Sequence, residues 1–172
     1  YLVEDAYTKD KVWWGKINKP FSPEKFDLLY SEVTNYLSGK ELYIRDAYVC
    51  ADPDFRTNIR TITELPWSNL FAYNMFLRAD ASALENFRED WLVLCAPGYE
   101  ADPKVHGTRQ GNFSILNFSK KIALVGGSAY TGEIKKGIFS ALNLILPSEN
   151  NVLPMHCSAS VGEAGDTAIF FG

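Results

Sequence analysis

Apolar positions along the chain follow two rhythms. Between Phe21 and Lys40, residues Phe26, Leu29, Tyr30, Val33 and Leu37 recur every three or four positions, the period of a helix with one buried face. Ser22 can cap it, Pro23 fits its first turn and Gly39 supplies its stop. Residues 41–50, ELYIRDAYVC, are rich in β-branched and aromatic side chains and predict a strand running into a turn around Asp52-Pro53. IRTIT (59–63) predicts a second short strand. TELPWSNLFAYNMFLR then predicts a helix, with Thr63 as its cap and Trp67, Leu70, Phe71, Asn74 and Met75 along one face.

The second half of the chain turns more apolar. WLVLCAPG (91–98) is a continuous run ended by Pro-Gly, the pattern of a strand buried on both faces. FSILNF and IALVGG, separated by SKK, predict a hairpin or two neighbouring strands. A helix from Glu133 to Leu146 follows, stopped by Pro147. VLPMHCSASVG predicts a short strand or turn, and TAIFF a last strand of buried type. Strands and helices interleave without repeats or low-complexity linkers. The expected architecture is one mixed α/β (α+β) domain over residues 1–172, a mixed sheet flanked by helices.

Composition narrows the partners. With 47% apolar and 22% charged residues, the chain has the make-up of a soluble globular domain. A net charge of −4 and scattered basic residues argue against a nucleic-acid surface. No apolar run approaches the ~20 residues that span a bilayer, so no membrane role is expected. Cys50, Cys95 and Cys157 are odd in number and lack C-x-x-C spacing, which suits buried thiols in a reduced, cytoplasmic protein. The chain starts at Tyr1 without methionine and stops on an apolar run, so an excerpt of something longer is expected.

Candidate chemistry concentrates in GGSAYTGEIKKGIF (126–139). On a wheel of about 100° per residue, Lys135 falls within the arc of Ile134, Ile138, Leu142 and Leu146, while Lys136 falls beside Ser140 and Asn143. Two lysines in a first turn oppose its positive partial charge, and the preceding Gly-Gly turn adds free amides suited to an anion. Crowding of this kind favours a neutral amine, able to act as base or metal ligand. The bland alternative is two lysines snorkelling to solvent. Elsewhere, His156 in PMHCSAS is a lone imidazole, and His106 in KVHGTRQ reads as a solvated loop residue. Arg56 and Arg60 read as salt-bridging residues. No paired-carboxylate, H-E-x-x-H or EF-hand pattern is present. A strand of the form AIFFG precedes phosphate-binding loops, though by itself it is a weak signal.

Taken together, LYIRDAYVCADPDFRTNIRTITELPWSNLFAYNMFLR, GGSAYTGEIKKGIFSALNLILP and VLPMHCSASVGEAGDTAIFFG resemble the amino-terminal part of the ATP-dependent phosphoenolpyruvate carboxykinases. The resemblance implies conversion of oxaloacetate and ATP to phosphoenolpyruvate, carbon dioxide and ADP, an entry step to gluconeogenesis. It implies an N-terminal domain over residues 1–172, with the nucleotide-binding C-terminal domain lying outside them. Tyr130 would contact substrate or carbon dioxide, Lys135 would lie close to the reacting groups, and Lys136 would face substrate and nucleotide while ligating Mn²⁺. His156 would be a second Mn²⁺ ligand near the nucleotide phosphates, and Gly172 the first glycine of the phosphate loop. A second divalent ion, Mg²⁺ or Mn²⁺, would accompany ATP. Ser160 departs from the family, which has Asn there. An upstream arginine, the rest of the phosphate loop, a metal-binding aspartate and a later arginine all fall outside this sequence, which by itself is expected to be inactive. The competing reading is a noncatalytic α/β scaffold or partner-binding module.

Overall fold

A strand buried on both faces needs cover on both, and the chain supplies it. The computed structural model describes residues 1–172. In chain order the elements are β1 (Leu2–Val3), β2 (Pro20–Phe21), α1 (Pro23–Leu37), β3 (Tyr43–Val49), β4 (Thr57–Thr63), α2 (Pro66–Met75), β5 (Leu77–Arg78) and α3 (Ala81–Leu84). Then follow β6 (Trp91–Ala96), α4 (Pro103–His106), β7 (Phe113–Asn117), β8 (Ile122–Gly126), α5 (Gly132–Asn150), β9 (Ser158–Val161) and β10 (Thr167–Phe170). Eight strands form one mixed sheet in the order β2-β1-β7-β8-β6-β4-β3-β5. Its centre, β4, β6 and β8, is parallel. β7 and β8 form the antiparallel hairpin expected from FSILNF and IALVGG.

Period-two alternation splits each central strand between two cores. Val93, Cys95, Ala123 and Val125 point to the face covered by α2 and α5, where Ala72, Ile134, Ile138 and Ala141 meet them. Leu94, Ala96, Ile122 and Leu124 point to the other face, covered by Phe26, Leu29, Val33 and Leu37 of α1. Each such large side chain contributes roughly 1.5–3 kcal/mol by burial. α1 forms as its spacing predicts, with Ser22 Oγ accepting from the Lys25 amide at 3.2 Å and Pro23 in the first turn. Of the three free thiols only Cys95 is buried as expected, and burial pushes it up to about 12; Cys50 and Cys157 are half-buried. Arg60 pairs with Asp46 at 2.8 Å and Glu89 at 2.9 Å, as read, whereas Arg56 lies over the Tyr48 ring.

Several expectations are corrected. In α2 the inward residues are Ser68, Asn69 and Ala72, while Trp67 is 61% and Leu70 56% exposed. Thr63 does not cap it; its hydroxyl bonds to the carbonyls of Tyr43 and Leu65. Close approach of a helix to a sheet selects small residues on the inner face, so a count of large apolar side chains misplaces that face. α5 repeats the lesson. Gly137, Ala141, Ile134 and Ile138 face the sheet, and a Cβ at Gly137 would sit 3.7 Å from Leu116. The small residues turn the helix so that Lys135 leaves the apolar arc and is exposed.

Pro147 does not stop α5, which continues to Asn150 and ends at Asn151 in a left-handed cap. The carbonyl that Pro147 leaves unbonded belongs to Asn143, on the exposed side, where water can satisfy it. His106 is not a solvated loop residue. It is buried, its Nδ1 accepting from the Asp102 amide at 2.9 Å and its Nε2 3.1 Å from Glu32 on α1. β10 joins no large sheet; it pairs only with β9 as an exposed hairpin.

At the C-terminal end of β4, Glu64 accepts from Lys40, Tyr36 and the Gly98 amide. Partial burial pulls its carboxyl upward, but these three bonds outweigh that effect and hold it below its ordinary 4.5. A carboxyl lowered on folding adds stability above 4.5 and loses it as pH falls through the folded value. The stability difference between wild type and Glu64→Gln, followed by urea midpoints, should therefore shrink as the medium is acidified. Replacing Pro147 by Ala restores a helical hydrogen bond and should raise stability by about 1–3 kcal/mol, read from the same midpoints.

Candidate functional site at the start of α5

β8 ends at Gly126 and the chain turns through residues 127–131 into α5. At Gly127 φ is 66°, and a Cβ would stand 2.8 Å from both the Asn112 Cα and the Gly111 carbonyl. Those are backbone atoms and cannot swing aside, so only glycine lets the loop cross the rim of β7 this closely. The Gly127 amide donates to the Ala96 carbonyl at 3.4 Å, at the end of β6. The loop is thereby held at the C-terminal ends of parallel strands, where open α/β sheets present their ligands.

Tyr130 follows, its amide donating to Ser128 Oγ at 3.2 Å. Its ring lies over Gly132, where a Cβ would come 2.5 Å from the ring. That vacancy lets the phenol lean across the first turn of α5. Lys136 Nζ donates to Tyr130 Oη at 3.5 Å and stands 5.2 Å from the ring centroid. Such cation–π contacts are worth about 0.5–1 kcal/mol when exposed. Both side chains are exposed, so they pre-form an accessible amine–phenol pair rather than a core contact.

Lys136 also borders a cavity of about 500 Å³ between α5 and residues 11–19, together with Ser140 and Asn143. This is the polar neighbourhood the helical wheel assigned to it. His156 reaches α5 from the other end of the chain, its ring centroid 5.5 Å from that of Phe139. Phe139 follows Lys135 and Lys136 by four and three residues, which places it one turn on along the same side. His156 and Gly172 border a second cavity, of about 480 Å³, with Ser158 and Phe170. The structure thus brings Tyr130 to Lys136 and places His156 and Gly172 on one cavity, with His156 against Phe139 of the same helix that carries Lys136. Lys135 belongs to neither pair.

No three His, Cys, Asp or Glu side chains gather where they could hold a metal. The two candidate nitrogen donors, the Lys136 amine and the His156 imidazole, border different cavities. Lys19 and Arg109 escaped the sequence reading, yet Lys19 borders the cavity of Lys136 and Glu133, and Arg109 borders a second cavity that Lys19 and Glu133 also line. Nothing in their spacing marks them; Lys19 precedes β2 and Arg109 precedes β7, and the sheet order β2-β1-β7-β8 brings both toward the start of α5.

A family model for phosphoenolpyruvate carboxykinase matches residues 1–172. Among curated relatives, the phosphoenolpyruvate carboxykinase (ATP) of Christiangramia forsetii is 67% identical over 172 residues, covering 100% of this chain and 32% of the relative. That of Flavobacterium johnsoniae is 63% identical, again over 32% of its length. That of Geobacillus kaustophilus is 47% identical over 33% of its length. The chain therefore spans about a third of the length of the relatives it matches.

Gly127→Ala puts a methyl against fixed backbone at a left-handed φ. It should destabilise the fold by about 1–3 kcal/mol in urea denaturation, whereas Gly39→Ala, with open space around it, should suffer only from its φ.

Proposed function

The chain belongs to the ATP-dependent phosphoenolpyruvate carboxykinase family, and from that premise we propose that its residues serve the conversion of oxaloacetate and ATP to phosphoenolpyruvate, carbon dioxide and ADP. The observation that carries the reading is the amine–phenol pair, Lys136 Nζ to Tyr130 Oη at 3.5 Å, at the mouth of the sheet. In the reaction the C–C bond to the β-carboxylate breaks, carbon dioxide leaves, and the electron pair remains as the enolate of pyruvate. The enolate oxygen then attacks the γ-phosphorus of ATP and ADP departs.

The chain's own residues have distinct parts in this. The Tyr130 hydroxyl orients the carboxylate that leaves, by donating a hydrogen bond to it. The Lys136 amine, neutral when it holds the metal, would donate a hydrogen bond to the enolate oxygen as negative charge grows there. Lys135, exposed in the same first turn, adds positive potential without touching Tyr130. His156 and Gly172, which share a cavity, face the nucleotide phosphates. The two nitrogens of Lys136 and His156 fit part of a Mn²⁺ shell, with oxygens of the nucleotide, water and carboxylates outside these residues completing it. Such an ion, with a second Mg²⁺ or Mn²⁺ accompanying ATP, would supply Lewis-acid charge neutralisation during phosphoryl transfer. For Lys136 to bind it, the amine must be neutral, so affinity rises with pH. A cytoplasmic setting accords with the free thiols, and no helix is long and apolar enough to cross a membrane.

In a polypeptide of the relatives' full length, Lys136→Met should lower kcat by at least about a hundredfold, and near-wild-type turnover would refute the assignment. The 172-residue chain, given oxaloacetate, ATP and Mn²⁺, should release no carbon dioxide above background; measurable turnover would contradict the proposed division of labour.

A further inference from the structure

A carboxylate on α1 holds the segment between β6 and β7, residues 97–112, at two points. Glu32 Oε2 accepts from the Tyr99 hydroxyl near the segment's start and lies 3.1 Å from His106 Nε2 further along it. The Asp102 amide donates to His106 Nδ1 at 2.9 Å. With Nδ1 an acceptor, the ring proton sits on Nε2 and points at the carboxylate, so one tautomer satisfies both bonds. His106 is 3% exposed, so neither nitrogen has water to replace a lost partner. The amine–phenol pair makes no direct use of this cluster, which sits with α1 on the other face of the sheet.

Two routes lead from the clasp to the junction of β8 and α5. The first is backbone. Gly107, at φ 76°, turns the segment back, and the Ala101 amide donates to the Gly111 carbonyl at 2.8 Å, tying the returning limb to the outgoing one. That carbonyl and the Asn112 Cα are the atoms against which Gly127 seats. The second route is aromatic. The Tyr99 ring meets the Phe113 ring edge-on, with centroids 6.2 Å apart, and the Phe113 ring fills the space that a Cβ on Gly126 would need. Gly126 and Gly127 are consecutive, so both routes end where the chain turns toward Tyr130 and Lys136. Close-packed contacts of this kind pass a displacement on instead of absorbing it.

We propose that Glu32 and His106 are positioning residues for the amine–phenol pair: the clasp fixes residues 97–112, these seat Gly126 and Gly127, and the seated turn sets Lys136 against Tyr130. The assignment deepens the reading above and rests on it only for what the pair does in turnover. Neither residue borders the cavity of Lys136, so both act through the turn.

Glu32→Leu removes the shared acceptor, and the Glu32 side chain is 41% exposed, so this variant should fold. In NMR spectra of the chain, the amide signals of Gly127, Tyr130 and Lys136 should move in Glu32→Leu. They should return toward their wild-type positions in Glu32→Gln, whose carbonyl oxygen can still accept both bonds. Asp27→Asn breaks a different link of α1, the ion pair with Lys120, and should leave those signals in place. In a polypeptide of the relatives' full length, Glu32→Leu should lower kcat by about tenfold or more through misplacement of the pair. Glu32→Gln and Asp27→Asn should stay within about twofold of wild type. Unmoved signals or unchanged kcat in Glu32→Leu, no recovery in Glu32→Gln, or equal movement in Asp27→Asn would each overturn the proposal. The NMR readout needs no turnover, so its failure leaves the Lys136→Met experiment standing, and failure of Lys136→Met leaves the NMR comparison standing.

Discussion

Among the glycines, Gly127 is the one where an added Cβ would meet fixed backbone, that of Asn112 and Gly111, at 2.8 Å. It fixes where the β8–α5 loop crosses the edge of β7, and so where α5 begins. Tyr130 and Gly132 lie within that loop and first turn, and Lys136 follows one turn later. A Cβ at any one of Gly126, Gly127 or Gly132 would push against Phe113, Asn112 or Tyr130 respectively. The amine–phenol pair is thus a consequence of three vacancies, and the chemistry at the mouth inherits its geometry from the packing of β7 on β8.

Small residues govern the rest of the architecture in the same way. α5 meets the sheet through Gly137 and Ala141, and α2 meets it through Ser68 and Ala72. Their closeness is what rotates the larger apolar side chains outward: Trp67 and Leu70 lie exposed on α2. Asn69 is tolerated on the inner face because Arg45 donates to its Oδ1 twice, at 3.1 and 2.8 Å. A buried polar group so satisfied costs little.

These contacts also decide what could be read in advance. α1 was legible because its cap, proline and large apolar stripe all agree, and the central strands were legible because continuous apolar runs have few other homes. The inward faces of α2 and α5 were not, since glycine, alanine and serine carry no weight in a hydrophobic pattern. Pro147 misled because its cost depends on whether the orphaned carbonyl can reach water, a tertiary fact. β10 reads as buried from its apolar letters but finds only β9. Within the site, Tyr130 and Lys136 were legible because a loop and one helical turn bring them together locally. His106 and the Lys19–Arg109 pair depend on contacts across the sheet or between helices, which spacing along the chain does not encode.

The account's central claim is that the Lys136 amine and the His156 imidazole, the latter packed against Phe139 of α5, face one divalent cation. Paramagnetic broadening of the chain's NMR signals by Mn²⁺ reads this directly. Signals of Lys136, Phe139 and His156 should lose intensity first, and the loss should deepen as pH rises, because the ion and protons compete for the same nitrogens. Broadening confined to carboxylates elsewhere, with Lys136 and His156 unaffected at every pH, would contradict it.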